Sequence, residues 1–173
     1  MTGQEMSANA KLRHDRLTFY AEDMEQIDKL LGEFLRLSEA KCALLVDKDG
    51  HLVAKHGEMR SVDMDTISAL VAGSFAATKE MARLLGEAEF SALFHQGERD
   101  NIQLSLVGER TLLTILFDDR TTVGMVRLYA SETAKKLALI YKQAIEREAK
   151  VGDPTWNADY GKDAKSKLAK LFD

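Results

Sequence analysis

The chain has 173 residues, 45% of them hydrophobic, and 24 Lys and Arg stand against 28 Asp and Glu for a formal net charge of −4. That is one domain's length with enough apolar residue to bury a core. The acidic balance disfavours a duplex-binding protein, which carries a basic stripe, and the single cysteine leaves no intrachain disulfide and no Cys-pair zinc site.

Residues 1–18 are polar, without sustained apolar spacing, and read as a flexible tail. They lack the apolar stretch of a signal peptide, and no run approaches a membrane span, so a cytoplasmic protein with no membrane insertion is expected. From Phe19 the period is helical. Met24, Ile27, Leu31, Phe34 and Leu35 recur at three and four residues, and the helix should end near Ser38. Cys42–Val46 is short and continuously apolar, which suits a strand covered on both faces. Asp47-Lys-Asp-Gly50 reads as a tight turn, and His51–His56 as a more polar return strand at an edge.

Asp63 can cap a second helix, with Val62 packing on Ile67 as a hydrophobic staple, and Gly86 is its natural stop after Leu85. Three strands follow. They are Phe90–Gln96, a run in which Ile102, Leu104 and Leu106 alternate with Gln103 and Ser105, and the doubly apolar Thr111–Phe117. Asp118-Asp-Arg-Thr-Thr122 leads into a long helix with Val126, Ala130, Leu137, Ile140 and Ala144 as its stripe. Residues 151–173 hold a linker with the sole tryptophan, Trp156, and a short amphipathic segment carrying Ala164, Leu168, Leu171 and Phe172. With a domain over 19–150, the order predicts an α+β three-layer sandwich, helix-β-β-helix-β-β-β-helix. Its centre is a five-stranded, mainly antiparallel sheet with helices on both faces.

Catalytic signatures are missing. Gly161-Lys162 is the only Gly-Lys pair, but Trp156 stands where a P-loop needs glycine and Asp163 follows the lysine. There is no G-x-G-x-x-G, no H-E-x-x-H and no G-x-S-x-G. Asp47, Asp49 and Glu58 are spaced like calcium ligands, yet Leu52 occupies the place of the required glycine. His51 and His56 read as solvated edge-strand residues, Cys42 as core, and Asp118 and Asp119 as a cap for the last helix. No metal, cofactor or enzymatic activity is expected.

The feature that asks for a function is the second helix. From Thr66 to Thr78 it carries no charge. One stripe, Ile67, Leu70, Val71, Phe75 and Thr78, suffices to lie on a sheet, and the opposite side would be Ala69, Ala72, Gly73, Ala76 and Ala77. A solvated helix face normally carries lysine and glutamate. Gly73 in mid-helix costs up to about 1 kcal/mol relative to alanine. The face is either a protein–protein contact or covered by the chain's own tails.

These segments, Ala43–Ala54, Ala69–Ala77, Leu84–Phe90, Phe94–Gly97, Val107-Gly108 and Phe117–Leu128, together resemble the roadblock/dynein light chain family, and most closely its bacterial MglB-like branch. The resemblance covers roughly 19–150. It implies the roadblock fold, homodimers without cofactors, and regulation of a small Ras-like GTPase, MglA, in bacterial cell polarity and motility. Regulation there means acting as a GTPase-activating or exchange-modulating partner; a scaffold of the same fold without such activity is the alternative. It also implies that Gly73, Ala76, Ala77 and Glu80 lie at or near a partner platform, which Arg83 would extend. Arg120 and Arg127 become possible GTPase contacts, in a mechanism without an inserted arginine. The C-terminal Leu168, Leu171 and Phe172 become a possible docking segment.

Overall fold

The computed structural model describes residues 19–59 and 61–151. The expected tail over 1–18, the linker with Trp156 and the docking segment with Leu168, Leu171 and Phe172 lie outside the described residues. In chain order the elements are α1 (Ala21–Ser38), β1 (Cys42–Asp47), β2 (Leu52–Gly57), α2 (Met64–Leu85), β3 (Ala92–Gln96), β4 (Asn101–Val107), β5 (Thr111–Phe117) and α3 (Val123–Val151). One five-stranded sheet runs β2-β1-β5-β4-β3, and every pairing is antiparallel. This is the roadblock order anticipated from the sequence, with polar β2 at an edge and apolar β1 and β5 inside.

Local chemistry sets the boundaries. Asp47 Oδ1 accepts from the backbone N–H groups of Asp49 and His51, both at 2.9 Å, and Gly50 turns the chain with φ 91°. The Asp47 carboxylate is thereby committed to the turn. Asp63 caps α2 from an extended conformation, accepting from Asp65 N–H at 3.2 Å and from the Thr66 hydroxyl. Gly86 closes α2 in the left-handed region at φ 77°. At α3 the cap is Thr122, whose hydroxyl accepts from Met125 N–H at 3.3 Å, and not Asp118 or Asp119. Asp118 instead accepts from its own loop, from Arg120 N–H at 3.1 Å and Arg120 Nε at 2.9 Å.

The Thr66 hydroxyl and then the Asp65 N–H hold the Asp63 carboxyl below its ordinary pKa of 3.8. A depressed folded pKa contributes stability that is complete above the ordinary value and drains away as pH falls through the lowered one. Asp63→Ala is therefore expected to lower the urea midpoint at neutral pH without changing the slope. The gap to the parent should close as pH drops below 3.8. Urea titrations across that range check it.

The chain divides into two compact units, Ala21–Ile140 and the flanking segments up to Tyr20 and from Tyr141. Within the flanking unit, Phe19 meets Tyr141 edge-on at 4.8 Å and the Arg147 guanidinium lies 4.3 Å over the Tyr20 ring. Within the main unit, strand alternation separates two faces. Cys42, Leu44, Val46, Leu104 and Leu112 form one buried cluster with Val71 of α2. On the other face α1 lies over β2 and β1, and α3 reaches β4, where the Arg127 Nε is 3.5 Å from Gln103 Oε1. Ile27, Leu31 and Phe34 of α1 and Val126, Ala130 and Leu137 of α3 are buried.

Two further expectations are corrected. On β4 the apolar residues were to be the buried side; Leu104 is buried, but Gln103 is equally so at 1% exposed, while Ile102 and Leu106 are only half-buried. The reason is that α3 covers the Gln103 side, whereas α2 lies over β1 and β2 and leaves the β4–β3 end of its own face thinly covered. On α2, Leu70 was placed against the sheet and Ala72 outside. Leu70 is 64% exposed and Ala72 is buried at 8%. The helix turns its small residues Ser68 and Ala72 inward beside Val71, which lets it approach the sheet closely.

Candidate functional surface

With its phase settled, α2 presents Ala69, Leu70, Gly73, Ala76 and Ala77 to the outside, all exposed. The stripe continues through Glu80 to Leu84, which is 71% exposed, with Met81 and Leu85 beside it. Four of the five interface alanines and glycine anticipated from the sequence are thus on one outward face, and Ala72 is not. Contiguous exposure of this kind marks an interaction surface more often than a free one.

Gly73 is informative. A Cβ built there would meet nothing within 4 Å. The glycine therefore serves no close approach among the described residues, while weakening the helix by up to about 1 kcal/mol relative to alanine. A backbone arriving from outside would use the space it leaves.

The charged end of this face is internally neutralised. Arg83 donates through Nε to both Glu80 oxygens at 3.0 Å. That pairing holds the Glu80 carboxyl below its usual range and keeps Arg83 firmly charged. Glu80 and Arg83 present a joined pair, not two separate charges.

The two arginines singled out in the sequence fall on opposite sides of the sheet. Arg120 lines a groove of about 680 Å³ together with Ile67 and Val62 at the start of α2, Leu116 and Lys41. Its guanidinium is held by Asp118, which pushes the arginine pKa up as its own is drawn down. Lys41 bridges to Asp100 at 2.9 Å and lies 3.9 Å from Asp118, so this end of the surface is a balanced charge network. Arg127 lies across the sheet, stacked 5.7 Å over the Phe94 ring beside Gln103. The structure brings Arg120, and not Arg127, to the side on which α2 lies. Sequence reading missed Leu70 and Leu84 as surface residues; a helical wheel anchored on Ser68, Val71 and Ala82 recovers both.

Among the described residues no helix is long and apolar enough to cross a membrane.

A three-layer sandwich of this strand order, with one helix alone on a sheet face, matches the roadblock/LC7 domain over residues 26–117, and the chain belongs to that family. Within it, the similarity is to MglB proteins. An MglB solved in a tetrameric arrangement is 37% identical with a TM-score of 0.69, covering 74% of this chain and 96% of that one. The gliding protein MglB of Thermus thermophilus is 36% identical at a TM-score of 0.68, covering 73% and 96%. Myxococcus xanthus MglB is 34% identical at 0.66, covering 68% and 96%.

Proposed function

We propose that this chain is a homodimeric, non-catalytic regulator of a small Ras-like GTPase of the MglA type, in bacterial cell polarity or motility. It stimulates hydrolysis or modulates exchange. The observation that carries the reading is the uncharged, exposed face of α2, with Gly73 open at its centre. Two such helices from a dimer make a platform on which the GTPase's switch loops settle, and the half-covered Leu93, Ile102 and Leu106 beside α2 gain cover when a second chain arrives. Similarity to MglB, including one in a tetrameric arrangement, supports the oligomer.

GTP hydrolysis requires positive charge at the phosphates and a positioned water. Arg120 is already engaged by Asp118, and inserting it as a finger would break that pair. Arg127 faces the other way. The remaining route is to stabilise the GTPase's own groups, a population shift whose size equals the differential affinity for the two switch states. Arg120→Ala then weakens binding at most.

The test is single-turnover GTP hydrolysis by an MglA-type GTPase with and without the protein. Faster hydrolysis is expected. Binding without a change in either hydrolysis or nucleotide exchange would make the chain a scaffold, and absence of binding would remove the GTPase altogether.

A further inference from the structure

On the sheet face away from α2, a groove of about 460 Å³ runs between α3 and the β3–β4 end of the sheet. Arg127, Ser131 and Lys135 line it from the helix, at i, i+4 and i+8, and so on one helical face. Ser91 and Ser105 line it from the sheet, with the buried Gln103 at its floor. No carboxylate is among the lining residues. This occurs in a chain whose acids outnumber its Lys and Arg, 28 to 24.

Lys41 is paired to Asp100, Arg83 to Glu80 and Arg120 to Asp118, while other cations of the main unit, Lys136 among them, stand without a carboxylate among the described residues. Arg127 and Lys135 have no carboxylate partner among the described residues. Arg127 is instead aimed: Phe94 lies under its guanidinium and Gln103 Oε1 takes its Nε at 3.5 Å. Phe94 is itself stacked on Phe117 with ring centroids at 6.0 Å. An arginine fixed on an aromatic face keeps its remaining N–H donors free for a bidentate acceptor. The serine hydroxyls at 91, 105 and 131 make no hydrogen bond among the described residues, so they too are free donors.

We propose that this groove binds a small polyphosphorylated ligand. Arg127 takes one phosphate, Lys135 another, and the serine hydroxyls between them serve the bridging chain. Eight residues of helix place the two Cα atoms about 12 Å apart. Their side chains converge on a string of phosphates more readily than on a single one. Phosphate is favoured over carboxylate because three oxygens per group match several donors converging from both walls. The site is separate from the α2 face and independent of any GTPase.

The experiment is calorimetric titration of the full chain with tripolyphosphate at low ionic strength. Saturable one-to-one binding per chain is expected, with inorganic phosphate at least tenfold weaker. Arg127→Gln combined with Lys135→Gln should weaken tripolyphosphate at least tenfold with the thermal unfolding midpoint retained. Lys136→Gln, which removes an equal charge one residue along but outside the groove, should leave it unchanged. A nucleoside triphosphate binding as tightly as tripolyphosphate assigns recognition to the phosphate chain; tighter binding adds the nucleoside to the ligand. Should the titration show no binding, or should Lys136→Gln weaken it as much as the double variant, the site is overturned. Ser131→Ala gives a second reading without a charge change: a several-fold loss is expected, and none would remove the hydroxyls from the proposal.

Discussion

Under the proposed function, Ala76→Arg is expected to abolish stimulation of the GTPase while leaving the isolated chain folded. The position is exposed, in the middle of the outward face of α2, and arginine is nearly as good a helix former as alanine. In a closed interface the outcome differs. The guanidinium must either push the partner away or lose its water without a carboxylate to meet it, since the nearest acid on the face, Glu80, is held by Arg83. Stranding a buried charge costs about 3 kcal/mol or more, roughly a hundredfold in affinity. Hydrolysis rates with the variant, read beside sedimentation and thermal unfolding, separate the cases. Lost stimulation with unchanged unfolding places the platform on α2. Undiminished stimulation would move it elsewhere on the molecule.

Gly57→Ala is expected to be among the most destabilising single-methyl changes in the chain. At the end of β2 the backbone has φ +88°, which an L side chain resists by about 1–2 kcal/mol. A Cβ there would collide with the Lys41 carbonyl oxygen and crowd the Cα of Cys42, and neither can swing aside as a side chain does. Overpacking adds about 1–3 kcal/mol, so a loss of about 3 kcal/mol is expected by urea denaturation. The same substitution at Gly73, where a Cβ meets nothing and the backbone is helical, has the opposite sign in the monomer. Two glycines in one chain thus answer to different masters. Gly57 is required by the fold, and Gly73 is tolerated by it. A Gly57→Ala protein as stable as the parent would mean that β1 and β2 are free to slide apart at their junction.

Much of the architecture was legible because its signals are local. The Asp47–Gly50 turn, the Asp63 and Gly86 caps and the apolar runs of β1 and β5 each depend on neighbours in sequence. Their order then leaves few ways to layer helices on a sheet. What was not legible depends on how far each helix reaches. The burial of Gln103 follows from α3 lying over β4, which no property of the strand records. The phase of α2 was misjudged by one position because leucine outranks serine in hydrophobicity, while close approach to a sheet favours the smaller residue. The outward face survived that error because most of its residues are small and none before Lys79 is charged. The distance between Arg120 and Arg127 in chemistry was hidden too. Seven residues apart in sequence, they emerge on opposite faces of one sheet, because Arg120 stays in the loop after β5, beside Ile67 and Leu116, while Arg127 rides on α3 beside Phe94 and Gln103.

Cys42 lies at the start of the strand with no exposed surface, and burial pushes its thiol pKa up. A thiolate is the species that alkylating reagents attack, and here it is both suppressed and buried in the apolar cluster that Val71 of α2 closes. Modification must therefore wait for that cluster to open. Being the only cysteine in the chain, it turns the rate of thiol labelling into a clock for the opening of the core beneath α2, read without any added probe.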